Sequence, residues 1–356
     1  MEKLSDKTWS TFRVGDLFEV SRPMARSKDA YAAGDIPFVA SGALNNGVMK
    51  CCTPHDDEVL DKSKCITVSP VDGSSFYQSV DFLGRGGAGS SILMLRGPML
   101  NEATGQFIAR TVKQTCSKYT YGHMGNKDSI KREIIMLPVD DSGEPDYDYM
   151  AEYTKQTREA LLAKYRAYVE KRIAELGETV KIPSLNEKDW RGFLIGDLFV
   201  TDKGHLPNGK LLQKRFLREG SIPRVSATST NNGIMAFHDA KNQDCVTSNN
   251  FISLTFLGDA FYQANEASLD MKIHSLKLKD REFNTPLAMF FLTVVQRITQ
   301  GISYGNQLSS KDAVRKQVLL PVNDSGEPDY EYMEQYAKNM MLRKYKQYLA
   351  FLERQK

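Results

Sequence analysis

Polar and apolar positions alternate along this chain in two rhythms. Over Asp146–Leu176 a stripe of Met150, Tyr153, Thr157, Leu161, Tyr165, Tyr168, Ile173 and Leu176 recurs in steps of three, four and sometimes five residues. That spacing predicts an amphipathic helix packed on one face, and Gly177 ends it. A second stripe, Met333, Ala337, Met341, Tyr345, Tyr348 and Leu352, predicts a similar final helix. About thirty residues at ~1.5 Å rise make a rod of ~45 Å, long for a helix packed inside one small domain. Elsewhere short β-rich runs such as Cys65–Val71 and Phe251–Leu257 alternate with turns. Another helix is predicted over Asn284–Arg297, with Asn284 as its cap and Pro286 in the first turn, and Asn101–Arg110 sits in the equivalent earlier place.

The equivalence is literal. Leu137–Met150 and Leu320–Met333 agree at twelve of fourteen positions, 183 residues apart, differing at Asp140/Asn323 and Asp148/Glu331. A match of that length is a duplication. The openings repeat as well: Trp9, Phe12, Gly15, Asp16, Leu17 and Phe18 return as Trp190, Phe193, Gly196, Asp197, Leu198 and Phe199. This pattern predicts a short edge strand turning into a one-turn helix. Ile36-Pro37-Phe38-Val39 returns as Ile222-Pro223-Arg224-Val225, read as an edge strand because proline cannot donate to a central ladder. Asn45-Asn46-Gly47 and Asn231-Asn232-Gly233 read as tight turns. Pro145 and Pro328 fit at or just before the first helical turn of each rod, where Asp146 and Asp329 can cap free N–H groups. The expected order is a globular domain over 1–145, a helix over 146–177, a second globular domain over 178–328 and a helix over 329–356. The fold class is α/β (α+β), with two similar mixed domains. If the rods pack antiparallel, the chain gains an approximate two-fold axis and two heads ~40–50 Å apart, slightly more than the ~34–36 Å turn of a DNA duplex.

Composition narrows the function classes. Of the residues, 41% are hydrophobic and 26% charged, ordinary for a globular protein. No apolar run approaches the ~18 residues of a membrane span, and the opening Met-Glu-Lys-Leu-Ser-Asp-Lys lacks an apolar leader, so a cytoplasmic location is expected. Five cysteines without C-x-x-C spacing read as free thiols in a reducing compartment. Net charge is +3, so any polyanion contact must come from local patches.

Such patches occur in both halves. The loop after the first opening carries Arg22, Arg26 and Lys28, and the corresponding loop carries Lys203, Lys210, Lys214, Arg215 and Arg218. These are candidate phosphate contacts, together with Arg85 and Lys127. A Tyr-Gly step recurs at Tyr121-Gly122 and Tyr304-Gly305, beside His123, Asn306 and Gln307. Those residues, with Asn45 and Asn46, are candidates nearer the bases, because amides and aromatics can meet base edges in a groove. The same residues also suit ordinary turns and solvated loops. Gly84–Gly89 satisfies G-x-G-x-x-G, but a strand follows where the dinucleotide fingerprint needs a helix, so a hairpin presenting Arg85 to a polyanion is the better reading. No adenine-methylase Asn-Pro-Pro-Tyr, phosphate-binding loop or metal cluster is present in the sequence.

The paired openings, the Ile-Pro-x-Val and Asn-Asn-Gly-(Val/Ile)-Met stretches and the domain–helix–domain–helix order resemble the specificity subunit of type I restriction–modification systems. The short helices and the Leu-Pro-Val-(Asp/Asn)-Asp-Ser-Gly-Glu-Pro-Asp-Tyr connector look more like the type IIB recognition branch. The resemblance implies two target-recognition domains separated by spacer helices that pack as a coiled coil. It also implies a non-catalytic chain that reads a bipartite, asymmetric site on double-stranded DNA. Methyltransferase subunits bringing S-adenosylmethionine, and a nuclease subunit or a fused methylase–nuclease, are the partners it implies. Two other readings stand beside it: a hydrolase using Cys51 or Cys116 with His123, and a tandem carbohydrate- or protein-binding module.

Overall fold

The computed structural model describes residues 3–87 and 89–354; Ala88 of the glycine-rich loop and the chain ends lie outside them. The chain divides into two compact units, 1–165 and 166–356. In unit 1 the order is β1 (Trp9–Arg13), α1 (Val14–Leu17), β2 (Glu19–Ser21), β3 (Ala33–Val39), β4 (Val48–Cys52), β5 (Cys65–Val68), β6 (Ser75–Gln78), β7 (Leu83–Gly84) and β8 (Leu93–Arg96). Then come α2 (Glu102–Cys116), α3 (Lys127–Lys131), β9 (Ile134–Pro138) and α4 (Tyr147–Leu176), which runs on into unit 2. Unit 2 repeats the plan with β10 (Trp190–Leu194), α5 (Ile195–Leu198), β11 (Ile222–Val225), β12 (Ile234–His238), β13 (Val246–Ser248), β14 (Phe251–Thr255), β15 (Ala260–Gln263), β16 (Ala267–Leu269) and β17 (Ile273–Leu276). It ends with α6 (Thr285–Ile298), α7 (Ser310–Val314), β18 (Gln317–Pro321) and α8 (Tyr330–Arg354). The mixed α/β class expected from the pattern is the class found.

Among the described residues each unit has three small sheets. In unit 1 the orders are β1-β9, β2-β8-β5-β6 and β4-β3-β7; in unit 2 they are β10-β18, β15-β14-β17 and β12-β11-β16-β13. The helix α2 lies on one sheet and buries Ile108, Ala109, Val112 and Cys116 with Ile66, Val68, Leu93 and Leu95. In unit 2 α6 buries Leu287, Ala288, Phe291 and Val295 with Ile252, Leu254 and Leu276. Asn101 closes a capping box on α2, and Asn284 caps α6 with proline in its first turn, as their sequences predict.

The Ile-Pro-x-Val strands are not edges. β3 lies between β4 and β7, and β11 lies between β12 and β16. Proline is tolerated because the parallel neighbour pairs only the two residues after it, Phe38 and Val39, or Arg224 and Val225. No ladder donor is missed at Pro37 or Pro223.

The repeated connector behaves as its chemistry dictates. Asp146 accepts from the Tyr149 N–H at 2.9 Å and Asp329 from the Tyr332 N–H at 3.0 Å. Lys7 and Lys188 pin these carboxylates, each at 2.8 Å. In α4 the stripe is only partly buried: Met150 is enclosed, Leu161, Tyr165 and Tyr168 are exposed, and Val169 is the enclosed position further along. Within unit 2 the end of α4 and the chain after it run antiparallel to α8. Tyr332 donates to the Pro183 carbonyl, Asn339 exchanges two hydrogen bonds with Val180, and Arg172 bonds Tyr345.

Candidate nucleic-acid interface

Strand register decides which loops meet. In unit 1, Ser21 pairs with Met94, and Val68 pairs with both Leu93 and Ser75. The segments after β2, before β8 and after β5 therefore leave the sheet at one end. A parallel bridge between Ala25 and Gly86 lays the first two side by side. Gly125 donates to the Pro70 carbonyl at 2.8 Å and brings in the hairpin that carries Tyr121. Unit 2 builds the same end: Thr255 pairs with Ile273, Gly209 bridges Met271, and Leu308 donates to the Phe256 carbonyl at 2.9 Å.

Each Tyr-Gly step is the tip of a tight turn closed by Thr120 and His123, or by Ser303 and Asn306. Tyr121 is 81% exposed and Tyr304 80%, the two most exposed large apolar-bodied side chains among the described residues. In unit 1 the base of the turn is pinned to Glu133. The buried Tyr119 donates to Glu133 at 3.0 Å, and Lys118 pairs with the same carboxylate at 2.6 Å. His123 is exposed next to Tyr119, and Lys127 is exposed at the start of α3 behind its Asn126 cap.

The first basic loop of each unit is held down by a buried guanidinium. Arg26 is 8% exposed; it donates to Glu58 and Asp61 at 2.6 Å each, to the Val59 carbonyl at 2.7 Å and to the Gly84 carbonyl at 3.2 Å. All its reach is spent inward, so Arg26 is corrected from phosphate contact to loop anchor. Glu58 is held below the usual carboxylate range: burial pushes it up, but bonds from Arg26, Tyr31 and the His55 N–H outweigh that. Unit 2 inverts the arrangement. Arg224, fully buried in β11, donates to Asp270 at 2.9 Å and to the carbonyl of loop residue Lys210 at 2.8 Å.

The other candidates separate. Arg22 and Lys28 are exposed on the anchored loop, and Arg85 bonds Ser90 within the adjoining segment. Lys210 pairs with Asp244. Lys203 tops its own turn, Asp202–His205, in the left-handed region. Lys214, Arg215 and Arg218 form a second patch, fastened where Gln243 donates to the Phe216 carbonyl and accepts from the Arg218 N–H. Asn45 and Asn46 spend their side-chain amides on the turn itself, bonding the Val48 carbonyl and the Tyr77 and Gln78 oxygens. Sequence reasoning missed Lys272, which stands at this end of unit 2 with its Nζ 2.9 Å from Gln307 Oε1. Aligning the repeats at Gly86/Met271 would have exposed it, opposite a glycine.

The hydrolase reading fails on Cys116. That thiol is fully buried and pushed up to about 12 by burial and then by Glu133, while His123 is exposed on its turn. Among the described residues no cluster of His, Cys, Asp or Glu is placed to hold a metal, and no helix is long and apolar enough to cross a membrane.

S.BcgI, the specificity subunit of a type II restriction enzyme from Heyndrickxia coagulans, is 25% identical over 339 residues, covering 93% of this chain and 94% of that one. The type I restriction–modification S subunit of M. genitalium shares 15% identity over 99% of this chain and 95% of its own, with a TM-score of 0.49. The HsdS subunit of Thermoanaerobacter tengcongensis shares 14% over 98% and 91%, with a TM-score of 0.31. The family model for the type I restriction modification DNA specificity domain matches twice, at residues 6–164 and 187–349. The two repeats are thus two copies of that domain, and the chain belongs to the DNA-specificity family of restriction–modification systems.

Proposed function

We propose that each unit engages duplex DNA with the loop-bearing end of its sheet, so that one chain reads two separate half-sites with an unread spacer between them. One observation carries this reading. Although the loop sequences diverge, both units hold a basic loop with a buried guanidinium and carry an outward tyrosine on a hairpin at the same end of the sheet. Arg22, Lys28, Arg85, Lys127, Lys203 and Lys210 would steady phosphates. Tyr121, His123, Tyr304, Asn306 and Gln307 would reach the grooves. The patch of Lys214, Arg215 and Arg218 would extend the backbone track of the second unit. Chemistry would belong to partners: methyltransferase subunits carrying S-adenosylmethionine, with a nuclease subunit or a fused methylase–nuclease. S.BcgI, matched over 94% of its length, is the specificity subunit of a type II restriction enzyme, which supports a restriction-enzyme partner.

The test is to expose DNA of mixed sequence to the chain with the methyltransferase encoded beside it and to sequence the methylated adenines. A two-part motif with a fixed gap is expected. Methylation without sequence preference, or at one continuous motif, would overturn the proposal.

A further inference from the structure

We infer that Lys272 determines specificity in the second unit by donating to the O6 and N7 acceptors of a guanine in the major groove; this rests on the DNA-reading proposal above. The first ground is backbone conformation. Lys272 adopts φ +64°, in the left-handed region where a lysine is strained. The equivalent residue of unit 1, one past the parallel bridge, is Gly87 at φ +93°. A glycine would satisfy the turn without strain, so what the lysine adds there is its side chain.

The second ground is what surrounds the ammonium. Its Nζ donates to Gln307 Oε1 at 2.9 Å and lies 5.0 Å from the centre of the Phe256 ring. Gln307 Nε2 donates to the Tyr304 carbonyl at 3.1 Å. Lys272 is thereby tied to the hairpin whose tip is Tyr304. Gln307 Oε1, the only side-chain acceptor of the pair, spends one of its two lone pairs on the ammonium. Donors then outnumber the one remaining lone pair: two on the ammonium and one on the amide. A cluster of donors fits guanine, which offers two adjacent acceptors in the major groove. Adenine presents an N–H donor there and cytosine another. Unit 1 has none of the three parts: Gly87, Pro70 and Met124 stand where unit 2 has Lys272, Phe256 and Gln307. The two half-sites would differ in chemistry for that reason.

Lys272→Gly copies unit 1 and relieves the strained φ, so the variant should fold at least as well as the parent. Gln307→Met copies the other half of the pair. Each is assembled with the methyltransferase partner and assayed by methylation of a library randomised across both half-sites. The parent should prefer guanine at one position of one half-site by roughly ten- to a hundredfold. Lys272→Gly should lose that preference and leave the other half-site unchanged, with Gln307→Met weakening the same position. Placing 7-deazaguanine there should slow the parent and not Lys272→Gly. An unchanged motif in Lys272→Gly overturns the inference and leaves the broader proposal standing. So does a uniform loss at every position with a salt slope smaller by about one, the mark of a phosphate contact. A parent complex that methylates without sequence preference overturns both.

Discussion

Arg26 shows how a charged residue can be indispensable to a binding loop without touching what the loop binds. Its guanidinium bridges Glu58 and Asp61, whose side chains are only 10% and 12% exposed. Removing one member of such a buried network leaves the others charged and unpaired, which costs about 3–5 kcal/mol. Arg26→Ala should therefore destabilise unit 1 by about that amount at neutral pH in urea denaturation, whereas Lys28→Ala, on the exposed face of the same loop, should change stability by less than about 0.5 kcal/mol. The pH dependence follows from the lowered Glu58 value. A depressed carboxylate contributes stability above its unfolded value, ~4.3, and that contribution disappears as pH falls through the folded value. In Arg26→Ala the buried Glu58 carboxylate keeps its bonds from Tyr31 and the His55 N–H but loses its cation, and protonation relieves it. The deficit of the variant should be greatest near pH 7 and shrink towards pH 4; a deficit that grows with acid would show that Arg26 does not hold the pair. Tyr31 belongs to the same network: its hydroxyl donates to Glu58 at 2.8 Å, and burial first, then that bond, push it up to about 12.

Between elements, the critical contact is the parallel bridge that lays the basic loop against the strand-connecting segment. It demands backbone-to-backbone approach, and each unit supplies one glycine from opposite sides of the bridge. A Cβ at Gly86 would sit 1.9 Å from the Met24 carbonyl oxygen, and one at Gly209 would sit 2.0 Å from the Asp270 carbonyl oxygen. Backbone atoms cannot swing aside as a side chain can. Gly86→Ala and Gly209→Ala should each cost about 1–3 kcal/mol and should weaken binding to all DNA sequences alike, because the loop is displaced as a body. Retention of full affinity by both variants, measured by fluorescence anisotropy, would detach these loops from DNA binding. The sequence disclosed the elements better than it disclosed this contact. The openings, the capped α2 and α6 and the aspartate-led rods were all readable, because each follows from neighbours within a few residues. The neighbours of Ile-Pro-x-Val were not, since proline excludes a donor at one position but not a short parallel partner beyond it. Arg26 and Lys272 were misjudged or missed for a related reason. A lysine or arginine in a loop looks solvated until the register brings Glu58 and Asp61, or Gln307 and Phe256, beside it.

For the whole molecule, charge has to act locally. A net charge of +3 over 356 residues gives almost no overall attraction to a polyanion, yet exposed basic side chains stand on the candidate loops of both units. Binding carried by those loops releases condensed counterions, so affinity should fall steeply between about 50 and 200 mM salt. Lys28 stands exposed in one unit and Lys214 in the other. Because the two belong to different compact units, their contributions should add. Lys28→Ala and Lys214→Ala should each lower the slope of log affinity against log salt by about one, and the double variant by about two, with the preferred sequence unchanged in all three. A tandem carbohydrate- or protein-binding module would show little such slope. A parent slope near zero would therefore remove the phosphate contacts from this account, and a double variant no different from either single would confine DNA backbone binding to one unit.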